Sequence, residues 1–98
     1  MEKIRLQARD GASAEILTHG AHVCSWIPAN GEEQLFLSKK SEFCEGVAIR
    51  GGVPIVFPQF SNLGPLPKHG FARTANWHLV RTGQIEQGAA QAVFELKQ

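Results

Sequence analysis

The chain has 98 residues, 43% hydrophobic and 19% charged, which places it in the ordinary globular range and away from disordered tails. Ten Lys and Arg against nine Asp and Glu leave a formal charge of +1. That excludes the broad basic field of a non-specific nucleic-acid binder and the polybasic patch of a membrane-surface protein. At this length folding buries only about two-thirds of the unfolded surface, so the expectation is one domain with a modest core.

The start, Met1-Glu2-Lys3-Ile4-Arg5, is too charged for the apolar core of a signal peptide, and a cytoplasmic address is expected. The next segments favour extended chain. Ala14 to Thr18 is bounded by Asp10-Gly11 and Gly20, and His22 to Ile27 ends at Pro28 before the turn-like Ala29-Asn30-Gly31. Gln34 to Leu37, Val53 to Phe57, Trp77 to Arg81 and Ala92 to Leu96 are further strand candidates, the last two separated by the polar stretch from Thr82 to Gly88. Between Phe60 and Gly70, two prolines and Gly64 forbid regular pairing, and a long irregular segment inside a compact domain is characteristically a binding loop. The regular spacing of short strands predicts a mainly β sandwich or barrel. Val93 to Gln98 reads as a strand in progress, as though the chain stopped mid-fold.

Cys24 and Cys44 are too far apart for a C-x-x-C pair and too few for a disulfide framework, so both are expected to be reduced, mostly buried thiols. His19 and His22 fall on opposite faces if extended, whereas His22 and Cys24 share one. A zinc site needs a third ligand at workable spacing, and none is in view. Trp26, Trp77, Phe57 and Phe60 are candidates to stack on a ligand ring, although aromatics in such strands mostly fill core. Phe60, at the edge of the irregular loop, is the best placed.

The densest chemistry lies in Arg50-Gly51-Gly52-Val53-Pro54, Phe57-Pro58-Gln59-Phe60 and Lys68-His69-Gly70-Phe71-Ala72-Arg73. Two glycines after Arg50 admit a close ligand without a Cβ in the way; a plain turn with a solvated arginine fits the same residues. If the second block enters a strand, positions 69, 71 and 73 share a face. Two arginines converging on one cleft suit an oxyanion such as phosphate, because each offers a fixed fork of N–H donors. An Arg73 paired with an acidic side chain is the alternative.

These blocks, read with Gly20-Ala21, Leu35-Phe36-Leu37-Ser38 and Trp77, resemble the N-terminal part of the hexose-6-phosphate mutarotases, the glucose-6-phosphate 1-epimerases of the aldose 1-epimerase superfamily. The resemblance runs in order along nearly the whole chain and rests chiefly on R-G-G-V-P and H-G-F-A-R. It implies that residues 1–98 form the N-terminal portion of a single antiparallel β-sandwich of the galactose-mutarotase type, with sugar bound on a concave sheet face. Arg50 and Arg73 are then the phosphate ligands, His69 lies beside the sugar, and Gln59 joins the substrate contacts. Lys68 stands where relatives often carry glutamine, which replaces an amide with a point charge and adds a possible third cation on the phosphate. The implied reaction is a cofactor-free isomerisation of α and β anomers, in which a base takes the anomeric proton while an acid protonates the ring oxygen. The family's acid, a histidine, and its base, a glutamate, fall beyond the matched blocks; Glu86 and Glu95 lie in the wrong region for either. The expected partner is a small-molecule sugar phosphate, and neither nucleic acid nor membrane. A non-catalytic carbohydrate or sugar-phosphate binding module, or an inactive fragment, is the rival reading.

Overall fold

A computed structural model describes residues 2–44 and 46–97. Lys3, Arg5 and Gln7 alternate with the half-buried Ile4 and Leu6, the period of a strand with one face covered, and β1 (Lys3–Gln7) forms there. The turn that follows closes on itself. Gly11 takes a φ of 98°, and Asp10 Oδ1 accepts the Ala12 N–H at 2.9 Å. β2 (Ser13–Leu17) returns antiparallel to β1 with Ile4 opposite Ile16 and Leu6 opposite Ala14. β3 (His22–Ile27) pairs with the other edge of β2, and the register slips between Glu15 and Ile16, a bulge that sharpens the local twist.

The second sheet is a hairpin of β4 (His78–Gln84) and β5 (Ala90–Glu95), joined by a single 3₁₀ turn over Glu86–Gly88. Leu6, Ile16 and Val23 on one face of the first sheet meet Ala92 and Phe94 of the hairpin, with Ile55 and Trp77, around an apolar cleft of about 390 Å³. The opposite face is covered by coil instead of by strands. There Leu17, Cys24 and Ile49 form a buried cluster with Leu37 packed against it. The result is mainly β and antiparallel, as the strand spacing predicts, with two packed sheets and an outer layer of ordered loop.

Four features differ from what the sequence predicts. β1 carries an alternating pattern that the sequence reading passed over while testing the same residues as a leader. Gln34 to Leu37 returns beside β3 without forming a strand. The Glu33 carboxylate takes the Trp26 N–H at 2.8 Å, the Leu35 N–H at 3.1 Å and the Ser25 hydroxyl, satisfying the edge of β3 that a partner strand would have paired. Val53 to Phe57 makes only end contacts, Val53 with Val23 and Phe57 with Gly70, because Pro54 and Pro58 bracket it and lack the N–H a ladder needs. Of the two thiols, Cys24 is buried as expected but Cys44 is exposed. The Pro28–Gly31 turn forms, Gly31 N–H donating to the Pro28 carbonyl at 3.0 Å, and residues 61–69 are irregular as predicted. β5 ends at Glu95, while Gln98 lies outside the described residues.

The turn between β2 and β3 is the tightest joint in this arrangement. Gly20 has a φ of 77°, and a Cβ built on it would sit 2.5 Å from the backbone carbonyl oxygen of Arg73. Gly83, on the exposed hairpin, has open space around it. Gly20→Ala is therefore expected to lower the unfolding free energy by about 2 kcal/mol or more, and Gly83→Ala to change it by less than about 1 kcal/mol. Denaturant midpoints of the two variants check this contrast.

Candidate functional site

The H-G-F-A-R block is shaped by the backbone of its neighbour. Gly70, at a φ of 72°, lies against the Phe57 carbonyl, and the N–H groups of Phe71 and Ala72 both donate to that carbonyl at 3.1 Å. The chain then enters a 3₁₀ turn over Ala72–Thr74 that carries Arg73. His69 is itself in a left-handed conformation with a φ of 65°. The expected extended run, with residues 69, 71 and 73 alternating on one face, is thus replaced by two sharp turns. The charge neighbours nonetheless gather: Arg73 and Lys68 both act on the His69 imidazole, and Arg73 Nη2 donates to the Lys68 carbonyl at 3.3 Å.

The state of His69 follows from its partners. Ser61 N–H donates to His69 Nδ1 at 2.9 Å while His69 N–H donates to the Ser61 carbonyl at 2.9 Å. A ring nitrogen that accepts carries no proton, so the neutral ring holds its hydrogen on Nε2 and presents a donor. The Phe60 ring sits edge-on to the imidazole at 5.2 Å. Partial desolvation, then the charges of Arg73 and Lys68, push the His69 pKa below the ordinary value.

Gln59 has its amide committed to the loop. Nε2 donates to the carbonyls of Ser61 at 2.9 Å, Leu66 at 2.8 Å and Pro67 at 3.1 Å, and Oε1 accepts the Leu66 N–H at 2.9 Å. It organises the segment that holds His69. Lys68 is exposed.

Arg50 is held by its backbone. Its N–H donates to Ser41 Oγ at 3.1 Å, and its carbonyl accepts from that hydroxyl at 3.0 Å and from Ser38 N–H at 2.8 Å. Among the described residues neither Arg50 nor Arg73 forms an ion pair; the pairs are Lys3 with Glu15 and Lys97 with Glu95. Among the described residues the acid-paired alternative for Arg73 finds no partner, and the Arg73 Nε is buried without a hydrogen-bond partner among them.

Extended chain pairs His22 with Cys24 on one face and puts His19 on the other. The turn through Gly20 and Ala21 brings both rings to one segment. His19 Nε2 donates to the Val47 carbonyl at 2.6 Å and His22 Nε2 to the Gly51 carbonyl at 2.5 Å, so the two histidines clamp the stretch that carries Arg50. Cys24 turns its thiol toward the His22 carbonyl and the Leu17 and Ile49 side chains. Among the described residues no three His, Cys, Asp or Glu side chains gather around a common point. Burial lowers the His22 pKa, with smaller contributions from the charges of His19 and Arg73, against the raising effect of the Gly51 hydrogen bond.

Both depressed histidines favour the neutral form in the fold. Their contribution to stability is present above the unfolded value of about 6.5 and is lost as pH falls through their lower folded values. Chemical denaturation from pH 7.5 down to 5 is expected to show stability falling with acidification, and His22→Gln is expected to flatten that slope.

With this geometry in view the kinship of the chain is clear. The aldose 1-epimerase family model matches residues 2–98, and the chain belongs to that family. A "putative glucose-6-phosphate 1-epimerase" of Cenchrus ciliaris is 48% identical over 79 residues, covering 81% of this chain and 24% of the relative. One of the same name from Escherichia coli K12 is 46% identical over 87 residues, covering 87% of this chain and 29% of the relative. The crystal structure of a "putative mutarotase" from Salmonella typhimurium superposes with a TM-score of 0.78 at 42% identity, covering 89% of this chain and 30% of the other. The chain thus spans about a quarter to three-tenths of the length of these relatives.

Proposed function

We propose that this chain supplies the phosphate-recognising part of an enzyme that interconverts the α and β anomers of a hexose 6-phosphate, as the N-terminal portion of one mutarotase-like β-sandwich domain. The observation that carries the reading is Arg73, a guanidinium with no acidic partner among the described residues and a buried Nε left without an acceptor, set beside a neutral His69. The names of the relatives, glucose-6-phosphate 1-epimerase and mutarotase, agree with it.

In this reading Arg73 and Arg50 take the phosphate oxygens through charge-assisted hydrogen bonds, and Lys68 adds a more mobile positive charge at the rim. His69 donates its Nε2–H to a sugar hydroxyl or ring oxygen. Because the Nδ1 lone pair is taken by the Ser61 N–H, the neutral imidazole has none free to accept a proton from the sugar and orients or polarises the sugar without acting as base. Phe60, beside that ring, offers an exposed apolar surface to the sugar face. Gln59 acts through the loop. The acid and base that open the ring belong to positions outside these residues. A cytoplasmic setting completes the reading, supported by two cysteines that are both free.

Placed in a full-length protein, Arg73→Ala is expected to weaken glucose 6-phosphate by about tenfold or more while leaving glucose within about threefold, since only the phosphorylated sugar uses the charge-assisted bonds. Competition binding with the two sugars measures this; equal losses would make Arg73 structural. Lys68→Gln is expected to have the smaller effect. The 98-residue chain alone is expected to bind the sugar phosphate without enzyme-like mutarotation, because a positioned acid–base pair is typically worth about a hundredfold to ten-thousandfold in rate. Polarimetry on α-glucose 6-phosphate checks it, and turnover abolished by His69→Ala would overturn the assignment.

A further inference from the structure

His22 is the largest side chain with no exposed surface, and neither the reaction nor the phosphate contacts above use it. A carbonyl only accepts, so the bond from His22 Nε2 to the Gly51 oxygen fixes the tautomer: Nε2 carries the hydrogen and Nδ1 carries a lone pair. Gly51 follows Arg50 directly. Gly52, at a φ of 65°, lies so close that a Cβ built on it would be 2.9 Å from His22 Nε2, so the second glycine leaves the space the imidazole occupies.

The other side of the ring is unmatched. Among the described residues His22 Nδ1 and Arg73 Nε are both buried without partners, and the Arg73 charge is felt at the His22 ring. One of these atoms can only accept and the other can only donate. They are chemically complementary, and leaving a buried polar group without a partner is costly.

We infer that His22 is a positioning residue for the phosphate site, its Nε2–H fixing the Gly51 carbonyl next to Arg50 and its Nδ1 serving as the acceptor for the Arg73 Nε–H when the guanidinium settles on an anion. One buried ring then sets both arginine segments. The inference rests on the phosphate reading above and adds a residue that touches no ligand.

The test uses His22→Gln and His22→Phe, with inorganic phosphate and glucose 6-phosphate as ligands and glucose as the neutral reference. Glutamine keeps one donor and one acceptor, whereas phenylalanine keeps the ring volume and loses both. Phosphate affinity is expected to fall about tenfold in His22→Phe and to stay within about threefold in His22→Gln, with thermal midpoints recorded alongside. Phosphate binding by His22→Phe at the original strength overturns the inference. So does a loss in both variants that follows their midpoints.

Should the phenylalanine variant fail to fold, imidazole and guanidinium ¹⁵N NMR on the unsubstituted chain decides the matter. The expected result is a slowly exchanging His22 Nε2–H, with phosphate shifting His22 Nδ1 and Arg73 Nε together. A shift at Arg73 Nε with His22 Nδ1 unmoved overturns the inference alone. Phosphate that moves neither the Arg50 nor the Arg73 signals overturns the phosphate reading and the inference with it.

Discussion

Between the end of β3 and the start of β4 the chain runs through some fifty residues with no strand ladder, yet it covers a sheet face and carries the candidate site. Every carbonyl and N–H turned inward along that stretch needs a partner, because an unpaired backbone group away from water costs about as much as a lost hydrogen bond. The partners here are side chains as well as neighbouring backbone groups. His19 and His22 take the Val47 and Gly51 carbonyls, Glu33 takes the Trp26 and Leu35 N–H groups, Gln59 takes both senses from the 61–67 loop, and His69 exchanges two bonds with Ser61. Those contacts, together with the backbone bonds of Ser38 to Arg50 and of Phe71 and Ala72 to Phe57, hold the segments that carry Arg50 and Arg73.

The glycines belong to the same constraint. Side chains that reach backbone need the segments to approach closely, and Gly20 against the Arg73 carbonyl and Gly70 against the Phe57 carbonyl allow it. The apolar core is correspondingly divided. A small cluster around Leu17, Cys24 and Ile49 lies under the loop layer, and a looser apolar cleft separates the two sheets. A fold built this way is specific at its polar joints and tolerant on the exposed hairpin.

How far this was legible in the sequence depends on the range of the interaction. β3 was read to the residue, and the β2 and hairpin strands to within a few positions, because alternation and turn residues are local signals. β1 carried the clearest alternation in the chain and was missed by reading its charges for targeting alone. Gln34 to Leu37 has strand-like composition, but no sequence rule says that Glu33 would satisfy the edge first. Arg73, His69 and Lys68 stand out in the sequence because they sit in one block, and the structure gathers them by two turns instead of by the expected strand. Whether Arg50 shares a ligand with them is a question of long-range geometry, which periodicity does not address. His19 and His22 were visible as residues, while their acceptors lie 28 and 29 positions away along the chain.

The electrostatic character of the site follows from two opposite hydrogen bonds that lead to the same tautomer. His22 keeps its hydrogen on Nε2 because that nitrogen faces a carbonyl, and His69 keeps its hydrogen on Nε2 because the other nitrogen faces an N–H. Both rings are held below the ordinary histidine pKa, so neither adds charge near Arg73 at neutral pH. The positive field is then that of Arg73 with Lys68 at its side. A dianionic ligand gains from such fixed charges without any proton having to move first, and the histidines remain free to hold geometry. Acidification reverses this arrangement. A proton on His69 Nδ1 displaces the Ser61 N–H, and one on His22 adds a positive charge within the field of Arg73, so the same step that adds positive charge loosens the loop that holds His69.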